Sequence, residues 1–155
     1  MINLEKDYDK IVVRKLKDMK DSYSTRDEVK RIIKKGNPIL YKVFIKKITK
    51  GLEFGLTVIN SGNFAGEYYM TKGHVHIKPS PEVYALLEGN GKLVIQKGNK
   101  ASIINLKKDR MFIVPEHYAH RLVNSGKGKL KVLTIYESNT GHNYNVKFRK
   151  RVFGK

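Results

Sequence analysis

The chain has 155 residues, 40% of them hydrophobic, enough for one compact domain (1–155) with a real core. It carries 32 Lys and Arg against 14 Asp and Glu, a formal net charge of +18, and no cysteine, so disulfides and thiolate metal sites are excluded. No apolar run is long enough to span a bilayer and residues 1–10 are too polar for a signal peptide, which predicts a soluble, cytoplasmic protein with no membrane partner.

In chain order, a strand and a helix are expected within 11–36. The helix begins at Thr25, where Thr25-Arg-Asp-Glu28 reads as a capping box and Val29, Ile32 and Ile33 form an apolar stripe; Gly36 and Asn37-Pro38 end it. The pattern then changes to short alternating or apolar runs punctuated by Gly, Asn and Pro. Strands are predicted at 39–48, 52–59, 66–76, 82–88, 91–97, 100–106, 110–115, 119–124 and 129–137, with tight hairpins at Gly89-Asn90-Gly91 and Gly98-Asn99. Many short strands with regular turns predict an all-β sandwich or barrel, a jelly roll by size, with its core over about 39–137. Residues 144–153 alternate basic and apolar positions and are expected as an edge strand or a basic tail.

The chemistry concentrates in Thr71-Lys-Gly-His74-Val-His76, then Glu82-Val-Tyr84, then His120 after Pro115. On a strand, His74 and His76 project from one face about 7 Å apart, so both rings can reach one ion. Three imidazoles and a carboxylate suit Fe(II), Mn(II), Ni(II), Co(II) or Zn(II) and leave open positions for water or substrate. The charge predicts attraction for anions, phosphorylated substrates among them. Its scatter along the chain reads as a solvated lysine surface. With no helix-turn-helix, zinc module or RNA-binding signature present, nucleic acid is not expected as a partner.

His74-x-His76, five residues, Glu82, six residues, Gly89 resembles the first cupin motif, and Pro115-x-His117-x-x-His120-x-x-x-Asn124 resembles the second, with His117 where the motif has glycine. Thr71-Lys-Gly-His-x-His, Glu82-Val-Tyr84, Gly89-x-Gly91, Gln96, Val114-Pro-x-x-Tyr-Ala-His120-Arg-x-Val-Asn124 and Ile135-Tyr136 through Gly141-His142-x-Tyr144 resemble one branch, the archaeal cupin-type glucose-6-phosphate isomerases. The likeness runs from about residue 14 to 144; the spacer from His76 to Glu82 is one residue shorter than usual in that family. The resemblance implies a single cupin domain and isomerisation of glucose 6-phosphate and fructose 6-phosphate, a step of glycolysis and gluconeogenesis. It implies one divalent metal per subunit on His74, His76, Glu82 and His120, Fe(II) or Mn(II) ahead of Ni(II) or Zn(II). It also implies catalytic roles for Glu82, Tyr84 and His142, substrate contacts from Thr57, Thr71, Gly73 and Tyr136, and a homodimer. A cupin dioxygenase and a non-catalytic sugar-phosphate-binding cupin are the alternatives. His117 reads as a loop residue near the site, Tyr68, Tyr69, Phe112 and Tyr118 as core or barrel lining, and Lys72 as pointing either beside the histidines or outward at a bulge.

Overall fold

The computed structural model describes residues 1–154. Strand β1 (Lys10–Lys15) leads through a 3-10 turn (Leu16–Met19) to helix α1 (Arg26–Lys35). The strands β2 (Ile39–Lys47), β3 (Leu52–Ile59), β4 (Asn63–Phe64), β5 (Glu67–Tyr68), β6 (Val75–His76) and β7 (Glu82–Glu88) follow. Then come β8 (Gly91–Lys97), β9 (Lys100–Asn105), β10 (Met111–Val114), β11 (Ala119–Asn124), β12 (Leu130–Glu137) and β13 (His142–Asn143). A six-stranded sheet in the order β1-β2-β3-β12-β7-β10 is accompanied by the three-stranded sheet β11-β8-β9 and the pairs β13-β6 and β4-β5. All pairings are antiparallel, and the connections that carry β12 between β3 and β7 give a jelly-roll order.

Two-residue alternation explains how one sheet builds both core and site. Along β7 the side chains of Glu82, Tyr84 and Leu86 are buried, while Val83 and Ala85 are only partly covered. The hydrophobic core runs through Leu40, Ile59, Phe64, Leu93, Val94, Leu130 and Val132, with Leu16, Met19 and Tyr23 from the N-terminal segment and Val29 from α1. Tyr68, Tyr69, Phe112 and Tyr118 pack against it partly buried, as expected.

Three expectations are corrected. Helix α1 forms where predicted, and the Gly36 amide donates to Ile32 O at 3.1 Å, but Thr25 makes no side-chain cap bond and its hydroxyl is buried without a partner among the described residues. The reason lies one residue earlier: Ser24 N and Oγ both donate to Glu67 Oε2, at 2.9 and 2.8 Å. That grip fixes the entry with Thr25 at φ −89°, ψ 68°, away from the extended geometry that aims an N-cap oxygen at the first-turn amides. The run expected as one strand over 66–76 is broken into β5, isolated bridges at Met70 and His74, and β6. Gly66 at φ +85° and Gly73 at φ +76° turn the chain out of extended geometry. The tail is neither free nor a regular edge strand: residues 144–154 form a strap over the barrel with Phe148 and Val152 buried. Gln96 holds it, donating to Lys147 O at 3.1 Å and accepting from Arg149 N at 2.9 Å.

Candidate active site

His74 sits in an antiparallel bridge with His120, the two backbones exchanging bonds of 3.1 and 2.9 Å, so the irregular segment after Gly73 is fixed against β11. β13 pairs His142 with His76 on the other side. β7 brings Glu82 up from the larger sheet, beneath these rings. The ligating atoms of His74, His76, Glu82 and His120 all lie within 4.8 Å of one another. The short spacer from His76 to Glu82 therefore leaves the carboxylate in reach. His120 Nε2 lies 3.0 Å from Glu82 Oε2, and His76 Nε2 lies 3.2 Å from the same oxygen, outside hydrogen-bond geometry.

The outer nitrogens settle what these rings offer inward. His76 Nδ1 lies 2.9 Å from Ser80 O and His120 Nδ1 lies 3.0 Å from Tyr118 O. A carbonyl only accepts, so each Nδ1 carries the proton and donates, and in the neutral ring each Nε2 presents a lone pair to Glu82. His74 Nε2 is also buried with no partner among the described residues. Lone pairs and a carboxylate converging on one point repel unless a cation lies between them, and this donor set fits a divalent metal.

The pKa shifts show the same demand for positive charge beside Glu82, met by the imidazoles when no cation is present. Burial raises the Glu82 carboxyl, and the imidazoles of His120 and His76 more than reverse this, leaving it below the ordinary carboxylate range. Burial, with the neighbouring His120, pushes His74 down to about 2, so it stays a neutral ligand. For His76 burial acts downward, but Glu82 outweighs it and the net shift is upward. Tyr84, buried beside Glu82, is pushed well above its usual value, so it remains a phenol.

A cavity of about 230 Å³ opens on this cluster. Thr57 of β3, Thr71, Gly73, Tyr84 of β7, Tyr136 of β12 and His142 all line it, as do His74, Glu82 and His120. Each substrate-contact and catalytic residue expected from the sequence is thus brought to one cavity; His76 contributes from behind. Thr71 Oγ1 accepts from Leu122 N at 3.0 Å, which leaves its own hydroxyl proton free to donate into the cavity. His142 stands at the mouth, its ring centroid 4.1 Å from that of His74. Desolvation, then the imidazole of His76, lowers its pKa.

Glycine at 73 is required on both faces: φ is +76°, and a Cβ there would come within 2.6 Å of the Phe148 ring and 2.9 Å of Arg121 Cβ. Lys72 does not line this cavity but a second one, with its Nζ 5.5 Å from the centroid of the Tyr144 ring. His117 is exposed at φ +67°, the left-handed conformation that suits the glycine of the motif it departs from. Lys10 and Arg14 also line the cavity, and sequence reasoning missed them. Alternation in Lys10-Ile-Val-Val-Arg14 puts both on one face of β1, a signal that could have found them once β1 was placed beside β2.

Two antiparallel sheets with a His, His, Glu and His cluster between them define a cupin barrel with a candidate metal centre. The likeness to solved structures extends to the fold. Oxalate oxidase superposes with a TM-score of 0.57 at 16% identity, covering 69% of this chain and 56% of that one. Oxalate decarboxylase from Lactobacillus farciminis gives 0.54 at 20% identity, covering 66% and 30%.

Within this class the sequence is more specific: a family model described as glucose-6-phosphate isomerase (GPI) matches residues 13–152, and the chain belongs to that family. Glucose-6-phosphate isomerase of Pyrococcus abyssi is 34% identical over 151 residues, covering 94% of this chain and 79% of the relative. The Thermococcus litoralis enzyme of the same name is 34% identical over 139 residues, covering 86% and 73%.

Proposed function

We propose that this chain is a metal-dependent isomerase that interconverts glucose 6-phosphate and fructose 6-phosphate. The observation that carries the reading is the single cavity in which the four-ligand cluster meets Tyr84, His142, Thr57, Thr71 and Tyr136. His74, His76, Glu82 and His120 would hold one divalent ion, with Fe(II) or Mn(II) favoured and Ni(II) or Zn(II) also suited to the donors. When bound, it supplies positive charge against the sugar's carbonyl and hydroxyl oxygens.

The residues around it do the rest. The hydroxyls of Thr57 and Thr71, the Gly73 backbone and Tyr136 bind the phosphate end, and Arg14 and Lys10 add cationic charge at the cavity wall. His142 at the mouth orients a sugar hydroxyl and assists ring opening. Glu82, ionised, takes the proton from one sugar carbon and returns it to its neighbour through a cis-enediol, and Tyr84 beside it donates to the developing oxygen charge. The low basicity of Glu82 favours a second route, an intramolecular hydride shift that needs no base. Isomerisation in deuterated water separates the two: deuterium at the sugar's second carbon supports the Glu82 shuttle, and its absence supports the shift.

The test of the reading is an isomerase assay on chelator-stripped protein resupplied with Mn(II), Fe(II), Ni(II) or Zn(II). Turnover restored by metal and lost in His74→Ala is the expected result; tight metal binding with no turnover of either sugar phosphate overturns it. We further propose that this one domain acts in the cytoplasm as a homodimer. The β10 edge strand supports an interface, since Met111 and Ile113 are 75% and 60% exposed on it. Light scattering should give a dimer that Ile113→Lys dissociates.

A further inference from the structure

A second cavity, of about 430 Å³, lies against the same piece of backbone as the first. Residues 70–74 and 120–123 form a wall, joined by bridges at Met70 with Val123 and His74 with His120 and by the bond from Thr71 N to Leu122 O at 2.9 Å. Side chains alternate across this wall. Thr71, His120 and Leu122 face the first cavity, Lys72 and Arg121 face the second, and the positive φ of Gly73 turns His74 back to the first.

The second cavity is strongly basic. Arg26, Lys72, Arg121, Lys147 and Arg151 line it against one acid, Asp21. Arg151 is engaged, its Nη1 donating to Glu67 Oε1 at 2.6 Å and to Ser22 O at 2.9 Å. Among the described residues, no carboxylate pairs with Arg26, Lys72, Arg121 or Lys147. Arg121 is the anomaly. It is only 5% exposed, its guanidinium carbon stacks 3.8 Å from the Phe148 ring centroid, and its Nη1 reaches Met70 Sδ at 2.7 Å. Its Nε is buried with no partner among the described residues. A thioether and a ring face compensate a buried guanidinium poorly, and a buried cation left unpaired is costly. The isomerase chemistry makes no use of it.

We infer that this second cavity is a binding site for a small phosphate-bearing anion, with the Arg121 guanidinium at its floor and Arg26 and Lys147 at its rim. Four cations without a carboxylate partner suit a dianion better than a carboxylate, and the planar guanidinium suits the oxygens of a phosphate. The site stands back to back with the catalytic cavity across one layer of backbone, and Tyr144 lines both.

The test is calorimetric titration of inorganic phosphate into the metal-loaded protein and into the double variant Arg26→Gln, Lys147→Gln. We expect two classes of site in the parent protein. In the variant one class weakens by about tenfold, while the inhibition constant of phosphate in the isomerase assay, which reads the catalytic cavity, stays unchanged. Arg121→Gln should abolish that class; because the residue is buried, its fold is checked by thermal melting, and the rim variant decides the matter if it unfolds. Titration of the rim variant identical to the parent, or a single class of phosphate that competes with substrate, overturns the inference. The calorimetric classes are read without turnover, so a protein that failed to isomerise either sugar phosphate would still show whether the rim variant weakens one of them.

Discussion

Replacing Glu82 by Gln keeps the volume of a side chain that is 5% exposed and removes the only negative charge from the four-ligand cluster. In the parent protein, divalent metal at about one hundred times its dissociation constant should stabilise the fold by about 2.7 kcal/mol. For a chain of 155 residues, with an unfolding entropy of about 2.1 cal/mol/K per residue, that corresponds to about 8 °C in Tm. The carboxylate oxygen lies 3.0 and 3.2 Å from two imidazole nitrogens, so an amide in its place puts either a neutral oxygen or an N–H against the ion. A loss of about a hundredfold in affinity brings the metal to its dissociation constant at the same concentration, where the stabilisation is about 0.4 kcal/mol and the shift about 1 °C. Differential scanning calorimetry of both proteins, with chelator and then with Mn(II), Fe(II), Ni(II) or Zn(II), measures this directly. A variant that gains the same shift as the parent would refute the assignment of Glu82 as a ligand, and a parent protein that none of the four metals stabilises would refute the metal centre.

Three further outcomes are expected. Arg14→Gln should raise KM for fructose 6-phosphate about tenfold, the worth of one charge-assisted hydrogen bond, with kcat within about twofold in steady-state assays; an unchanged KM removes Arg14 from the phosphate end. Metal-free protein should lose stability as pH falls from about 6.5 to 5, because His74 stays neutral when folded and takes up a proton on unfolding. The slope from His74 is about 1.4 kcal/mol per pH unit, or about 2 kcal/mol across the window, and His142, also shifted downward, adds to it. His76, shifted upward, contributes in full below about 6.5, and Glu82, shifted downward, loses its contribution only at more acid pH, so neither cancels the trend. Urea denaturation at both ends of the window checks it; a flat profile, or the same slope in His74→Gln, contradicts the account. Gly73→Ala should cost about 3 kcal/mol, or about 9 °C in Tm, through its positive φ and the displacement of Phe148.

The strand pattern was legible wherever a short alternating or apolar run stood between turn residues, as in 52–59, 82–88, 91–97 and 119–124, where the observed strands share those bounds. It failed at 66–76 because both Gly66 and Gly73 take positive φ, and the neighbour that holds Gly73 to glycine, Phe148, lies seventy-five residues further on. The four candidate ligands were legible as a cluster because each comes from a short motif. The Thr25 cap was misread because its competitor, the Glu67 carboxylate holding Ser24, is brought there by tertiary structure. Lys10 and Arg14 escaped for the same reason: nothing in their own segment states that β1 will pair with β2 beside the cavity.

Glu67 shows how the two ends of the chain are made to depend on the barrel. It is 1% exposed and bonds Ser24 ahead of α1 and Arg151 in the C-terminal strap. The strap in turn places Phe148 under Gly73 and beneath the Arg121 guanidinium, the residues flanking Thr71, His74 and His120 on the wall between the two cavities. A cluster of converging lone pairs cannot hold itself together, so its geometry must be imposed from outside. Here that constraint comes from a backbone bridge on one side and a packed aromatic ring on the other. The strap therefore braces the candidate site from the face of the wall opposite the first cavity.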